Sequence, residues 1–177
     1  MYTPLKSQSI SLPNTSLPHN QIHNRVECAT VEHLDLSKLE NFEVVNHQYH
    51  QQGIQFKNAI ALHPSNPAFP TRTSQSIVIG GPKTGTIDLI FSPPVHTADA
   101  YVTSSAVTTM VAFDHQDNVL SKDETLGRNL ADKRSNYSAN LCLSVQATAN
   151  RLIHRIRLRC GGGQLALADL SFSRTLR

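Results

Sequence analysis

The stretch that decides the fold is TIDLIFSPPVHTADAYVTSS, residues 86–105. In its first part, Ile87, Leu89 and Phe91 occupy every second position, which places them on one face of a β-strand. The later part, ADAYVTSS, carries the β-branched and aromatic residues that are typical of strands. Between them, SPPV predicts the end of the first strand, because proline cannot donate to a sheet ladder. The stretch therefore predicts two successive strands.

The same pattern recurs on both sides of this stretch. Short alternating or β-branched runs are GIQF, SIVIGG, TTMVAFD, NLCLSV, LIHRIRLRC and QLALADLSFS, and DHQDNVL has the composition of a hairpin loop. The segment VEHLDLSKLENF, residues 31–42, fits either a helix or a strand that leads into a turn. About eight to ten short strands separated by Gly, Pro and Asn predict an all-β protein, a β-sandwich or jelly roll.

Length and composition limit the architecture and the class of partner. The chain has 177 residues, and we predict a polar N-terminal arm at residues 1–30, flexible or docked, and one β-sandwich domain at residues 31–177. The net charge of +3 is lower than that of a typical nucleic-acid binder, so nucleic acid is not an expected partner. No apolar run is long enough to span a membrane. The first 30 residues lack the apolar core of a signal peptide, so the default expectation is an intracellular protein.

Several segments, taken in order, resemble a known domain family. They are VVNHQYHQQGIQFKNAIALHPSNPAFP (44–70), IDLIFSPPVHTADAYVTSS (87–105), VAFDHQDNVL (111–120), NLCLSV (140–145) and LALADLSF (165–172). Their order and spacing resemble a β-sandwich domain of cyanobacteria and of bacterial surface proteins, including those with PEP-CTERM sorting tails. The resemblance implies a jelly roll similar to galactose-binding-like domains and carbohydrate-binding modules. Members of that kind are mostly non-catalytic, and many hold a structural calcium ion.

The resemblance also implies where binding would occur. In such a sandwich the long loops gather at one rim, and NAIALHPSNPAFP, residues 58–70, would be one of them, stiffened by its prolines. The chain departs from the family at its closing pair of carboxylates, which here is Ala168 and Asp169, so that only one acid remains.

Asp169 and Glu43 are the candidate ligands for Ca²⁺. Calcium takes six to eight oxygen ligands from carboxylates and carbonyls. Asp169 belongs to the last strand and Glu43 to the segment that enters the first, positions that jelly-roll modules often bring together at one edge. The alternative is that Asp169 caps a turn or pairs with an arginine and that Glu43 is solvated.

Candidate sugar-binding residues lie mainly in the loop GRNLADKRSNYSAN, residues 127–140. Sugar recognition uses a planar aromatic face together with hydrogen-bonding side chains, and the chain has no Trp. The candidates are therefore Tyr137, Asn136, Asn140 and Arg128, with Tyr49 outside the loop. The alternative is that the tyrosines are packing residues.

Arg155, Arg157 and Arg159 alternate with Ile156, Leu158 and Cys160 and so share one face of a strand. Like charges at such spacing repel each other unless an acid or a ligand lies nearby. Either acids on the neighbouring strand form ion pairs with the arginines, or the arginines form a stripe that binds an anionic partner.

Three functions follow from these patterns. The first is a non-catalytic binding domain for carbohydrate at the loop rim, with a structural calcium as cofactor. The second is a structural or assembly subunit that contacts other protein chains or further copies of itself. The third is a small calcium-dependent enzyme on the same sandwich. The chain contains no GxSxG or HExxH pattern, so no catalytic residue is assigned.

Overall fold

The computed structural model describes residues 29–81 and 85–175, and these residues form an almost entirely β structure. The strands are β1 (Ala29–His33), β2 (Val44–Val45), β3 (Ile54–Lys57), β4 (Ala59–Leu62), β5 (Ile77–Gly80), β6 (Thr86–Val95), β7 (Thr97–Ser104), β8 (Thr108–Phe113), β9 (Val119–Glu124), β10 (Leu141–Gln146), β11 (Ile153–Cys160) and β12 (Leu165–Thr175). Two short 3-10 helices lie at Leu36–Lys38 and His50–Gln52. Of the predicted N-terminal arm, residues 1–28 lie outside the described residues.

The strands form two antiparallel sheets. The first sheet has the order β10-β7-β12-β5-β4-β2, with β1 beside β12, and the second has the order β3-β6-β11-β8-β9. From β5 onward the chain passes back and forth between the sheets, staying in the second sheet only for the β8–β9 hairpin. This alternation is that of a jelly roll. The predicted all-β sandwich is confirmed.

The core lies between the two sheets and is filled by every second residue of each strand. Ile87, Leu89 and Phe91 of β6 are all fully buried, as their spacing predicts. Phe91 meets Phe172 of the opposite sheet with ring centroids 5.6 Å apart. Each large side chain that is buried in this way stabilises the fold by about 1.5–3 kcal/mol.

The end of β6 differs from the prediction. The strand does not stop at SPPV but continues to Val95. In its pairing with β11, Ile90 is opposite Arg155 and the next paired residue is Val95, opposite Ile153. Pro93 and Pro94 lie in the unpaired stretch between them, where no backbone N–H is needed for a hydrogen bond to β11. A bulge of this kind accommodates prolines inside a strand.

Three local predictions have definite outcomes. The segment 31–42 contains no α-helix but a strand that leads into a 3-10 turn, in which the Asp35 carboxylate accepts a hydrogen bond from the Ser37 N–H (3.0 Å). The first residues of the predicted rim loop form β4, so that the loop begins at His63. The predicted hairpin loop at Asp114–Asn118 is confirmed, with the Asp114 carboxylate accepting from the backbone N–H groups of Gln116 and Asn118.

Candidate functional site

The β7–β8 loop (105–107), the β9–β10 loop (125–140) and the β11–β12 loop (161–164) lie at one end of the sandwich and form a rim. The β4–β5 loop (63–76) leaves the first sheet further down and reaches this rim by folding back. The Ala131 N–H donates to the Ala68 carbonyl (3.0 Å), and the Asn140 side chain donates to the Thr71 carbonyl (3.3 Å). The β4–β5 loop is therefore tied to the β9–β10 loop.

The β4–β5 loop folds back over the outer face of the first sheet. There Phe69 and the neighbouring strand residues Leu62 and Ile79 pack on a small second cluster of Ile77, Ala166 and Ala168. The loop keeps its shape through a turn in which the Phe69 N–H donates to the Asn66 carbonyl (3.0 Å). The Asn66 side-chain oxygen also accepts from the Ala68 N–H (3.0 Å).

A cavity of about 480 Å³ opens beside this loop, between it and strands β4, β5 and β12. The described residues that line it are Leu62, Pro64, Ser65, Asn66, Phe69, Ile77, Ile79, Gly80, Gly81, Gly85, Gly163, Gln164 and Leu165. We call it the rim cavity. Its volume falls within the range of sites that hold small ligands.

Glycines leave part of the cavity wall without side chains. A Cβ on Gly80 would lie 2.7 Å from the carbonyl carbon of Gly85, and one on Gly163 would lie 2.4 Å from the Ser105 Oγ. Both distances are shorter than real Cβ contacts. A larger residue at Gly80 would therefore require the Gly85 backbone to move, and one at Gly163 would require the Ser105 side chain to move.

The rim cavity is apolar at its floor and has amide groups at its edge. Leu62, Ile77 and Ile79 supply aliphatic surface, and Phe69 supplies a ring. Gln164 is exposed, and its side-chain amide has no hydrogen-bond partner among the described residues. No described lining residue is charged or titrates near neutral pH. The described lining therefore suits an uncharged amphipathic ligand, and none of its side chains is a general acid or base.

The predicted sugar-binding residues lie on the same rim but outside the cavity. Tyr137 is 36% exposed, and its ring lies over Gly127, where a Cβ would come within 3.2 Å of the ring. Asn136 beside it is exposed. These two side chains are accessible, and neither of them lines the rim cavity.

Asn140 and Arg128 have structural contacts instead. The Asn140 N–H donates to the Thr103 hydroxyl (2.9 Å), and its side chain bridges to the β4–β5 loop. Arg128 forms an ion pair with Asp132 one turn further along the loop. Burial raises the pKa of Asp132, but hydrogen bonds, the first of them from the Arg134 N–H, outweigh that effect and lower it.

Tyr49 is a core residue, which corrects its prediction as a ligand contact. It is only 6% exposed, and its ring packs against Phe56 with centroids 5.8 Å apart. Its hydroxyl donates to the Asp35 carbonyl (2.9 Å). Burial, assisted by the charge of Asp35, raises the pKa of Tyr49 well above its usual value. The ring offers no face to a sugar.

Asp169 and Glu43 are not brought together, which corrects the predicted metal pair. Asp169 lies on β12, and Glu43 enters β2, with β5 and β4 between them. Strand spacing alone separates them by roughly 14 Å, too far to share one ion. Asp169 instead pairs with Arg72 (3.2 Å), whose guanidinium lies 3.5 Å from the centroid of the Tyr101 ring.

Glu43 accepts a hydrogen bond from the Gln48 amide and one from the Glu40 N–H, and the first of these contributes most to lowering its pKa. Within residues 29–81 and 85–175, no three His, Cys, Asp or Glu side chains group closely enough to hold a metal ion. Calcium stays a prediction, without a donor set in this part of the chain.

The three arginines share the outer face of β11, while Ile156, Leu158 and Cys160 are buried on the other side. Arg155 pairs with Asp88 (3.2 Å) and Asp117 (2.7 Å) and stacks on Phe113. Arg157 also pairs with Asp88 (2.8 Å). Arg159 has no ion pair among the described residues. Asp88, on the neighbouring strand β6, therefore pairs with two of the three arginines.

Comparisons with known proteins add no family. No family model and no curated protein matches the chain, so the resemblance to the PEP-CTERM-type domain stays a prediction. Among solved structures, a mutant family 29 carbohydrate-binding module aligns over 82% of this chain and 92% of its own at 11% identity and a TM-score of 0.48. A family 29 module from Piromyces equi aligns over 82% and 90% at 11% identity and a TM-score of 0.43.

A third structure is the K2 cleaved adhesin domain of Lys-gingipain, with 83% of this chain and 100% of that one aligned at 8% identity and a TM-score of 0.48. TM-scores below 0.5 at such identities assign neither a family nor a ligand. None of the helices among the described residues is long and apolar enough to cross a membrane.

Sequence reasoning missed the residues that line the rim cavity. It identified the proline-rich loop, which supplies Pro64, Asn66 and Phe69, but it singled out none of them. The loop's one aromatic residue was the available signal. Gln164 follows three glycines. The sequence around it does not indicate that this turn lies beside β4 and β5, at the edge of the cavity.

Proposed function

We propose that the protein is a non-catalytic carbohydrate-binding domain that takes a neutral sugar in the rim cavity. The observation that carries the proposal is the lining of this cavity: aliphatic side chains, one phenyl ring and margin amides, with no charged group among the described lining residues. A pyranose has apolar C–H faces and a ring of hydroxyl groups. The C–H faces suit Phe69 and the aliphatic floor, and the hydroxyls suit the amides of Gln164 and Asn66.

The lining also favours binding over catalysis. Glycoside hydrolysis ordinarily requires a pair of carboxyl groups at the scissile bond. The described lining of the rim cavity contains no carboxyl group and no histidine. The described lining residues would therefore hold a sugar without a group that transfers a proton.

The test is a screen of neutral oligosaccharides on a glycan array, followed by calorimetric titration of the best ligand. Phe69→Leu keeps apolar volume but removes the ring face, and it should weaken binding by about tenfold, the upper end of what an aromatic contact contributes. Gln164→Ala should weaken binding by about fivefold, the value of one hydrogen bond. Gln51→Ala, an exposed glutamine of the 3-10 helix beyond the rim, is the matched control and should change nothing.

Two results would contradict the proposal. One is an array on which no neutral sugar binds. The other is a sugar whose affinity is the same in the wild-type protein and in the Phe69→Leu and Gln164→Ala variants.

A second candidate function is assembly with other protein chains. Phe42 and Val44 are 72% and 66% exposed where the first sheet ends at β2. Apolar side chains on an edge strand favour pairing with a further chain. Size-exclusion chromatography with light scattering tests this: assembly predicts a species larger than 19.5 kDa, and Phe42→Ser should shift it toward the monomer.

A further inference from the structure

The outer face of the second sheet is a separate charged surface. In one register row, Lys57 of β3 is followed by Asp88, then Arg157, then Val111, then Lys122 of β9. Arg159 lies two residues beyond Arg157 on the same face. We call the surface formed by Lys57, Lys122, Arg157 and Arg159 the basic face.

The basic face has an excess of positive charge after its ion pairs are counted. The cations on this side of the sheet are Lys57, Lys122, Arg155, Arg157 and Arg159, and the carboxylates that touch or accompany them are Asp88, Asp117 and Glu124. Two positive charges are therefore not neutralised. Lys57 and Arg159 are both exposed, and neither forms an ion pair within the described residues.

The spacing of these cations is wide and regular. Lys57 and Arg157 are two strands apart, and so are Arg157 and Lys122, which gives backbone separations of roughly 10 Å. Arg157 and Arg159 are roughly 7 Å apart along β11. Cations at these intervals fit an extended polymer whose acidic groups are separated by one or two repeating units.

The described residues of the same face provide no free aromatic ring on which single-stranded nucleic acid could stack. Bases bind by stacking on exposed aromatic rings. Among the described residues of this face the aromatic ring is Phe113, and the Arg155 guanidinium already lies 3.9 Å from its centroid. The apolar positions between the cations, Ile90 and Val111, are aliphatic and half-buried.

We propose that the basic face binds an acidic polysaccharide, a chain of sugars that carry carboxylate or sulfate groups. Guanidinium groups bind carboxylate and sulfate oxygens through charge-assisted hydrogen bonds, and the aliphatic positions accommodate the C–H faces of the sugars. The proposal concerns a different surface from the rim cavity. It does not depend on whether that cavity binds a neutral sugar.

The experiment measures binding of polygalacturonate and of dextran sulfate by calorimetry at about 0.01 M ionic strength, where the Debye length is roughly 30 Å. The test variant is Lys57→Gln with Arg159→Gln, since neither residue stabilises an ion pair. The control is Lys133→Gln with Arg134→Gln on the rim, which changes the net charge equally. The test variant should bind about tenfold more weakly and the control less than twofold, because each exposed charge contributes up to about a factor of five.

The two polymers and the variants distinguish the possible outcomes. Preference for polygalacturonate identifies carboxylate as the recognised group, and preference for dextran sulfate identifies sulfate. Phe69→Leu should bind both polymers like the wild type, so failure at the rim cavity leaves this result intact. Equal weakening in the test and control variants, no binding of either polymer, or tighter binding of oligo(dT) than of both polymers would overturn the proposal.

Discussion

Asn129→Ala should remove the main anchor of the β9–β10 loop. Asn129 is fully buried, and its side-chain amide donates to the Val102 carbonyl (2.7 Å). Its side-chain oxygen accepts from the N–H (2.7 Å) and the hydroxyl (3.0 Å) of Ser104. The Ser104 hydroxyl can donate to the Ala106 carbonyl instead (2.8 Å). The variant therefore loses two hydrogen bonds of about 1 kcal/mol each, and a buried Ser104 N–H without a partner costs about 1–3 kcal/mol. We expect a loss of about 4 kcal/mol.

The assay is urea unfolding at equilibrium, with hydrogen exchange to locate the change. Exchange should rise first in the β9–β10 loop and at the end of β7, which Asn129 joins. Asn136→Ala, in the same loop but exposed, is the control and should change the free energy of unfolding by less than about 0.5 kcal/mol. A loss below about 1 kcal/mol for Asn129→Ala would refute the reasoning, because water or a relaxed loop would then satisfy these groups.

Two further changes test the β2–β3 connection. Gly53→Ala should cost more than about 2 kcal/mol in urea unfolding, because Gly53 has φ +66° and its Cβ would lie 2.3 Å from the Ser92 carbonyl oxygen; a smaller loss would contradict that contact. Tyr49→Phe should cost about 1 kcal/mol for its lost hydrogen bond to Asp35. Because the fold raises the pKa of Tyr49 above its usual value of 10.0, wild-type stability should be full below pH 10 and fall above it. A weaker alkaline decline is expected in Tyr49→Phe, and parallel declines would contradict it.

The strands were predictable because successive side chains of a pleated strand point to opposite faces, which gives buried residues a period of two. Ile156, Leu158 and Cys160 could alternate with arginines only if one face was buried, and the structure buries all three. The strand that ends in SPPV was the exception, since its prolines lie at a bulge that depends on where β11 pairs. Local sequence carries no information on that register.

The predicted site residues depended on distances that no local pattern specifies. Asp169 and Glu43 were predicted to meet, but the strand order inserts β5 and β4 between them. Tyr49 was a candidate because the chain has no Trp, yet its ring packs against Phe56 and its hydroxyl donates to the Asp35 carbonyl. The rim loop was predictable because its local composition is that of a loop. Its contacts were not, because strand order and loop folding depend on residues far apart in the sequence.

The most direct measurement is the mapping of a bound neutral oligosaccharide by ¹⁵N and ¹³C chemical-shift perturbation on the labelled protein. The proposal predicts that the largest shifts fall on Asn66, Phe69 and Gln164, the residues at the mouth of the rim cavity. It also predicts only small shifts at Arg157 and at Tyr137. Shifts that centre on Tyr137 and Asn136, or that are absent at saturating sugar, would contradict the rim cavity as the site.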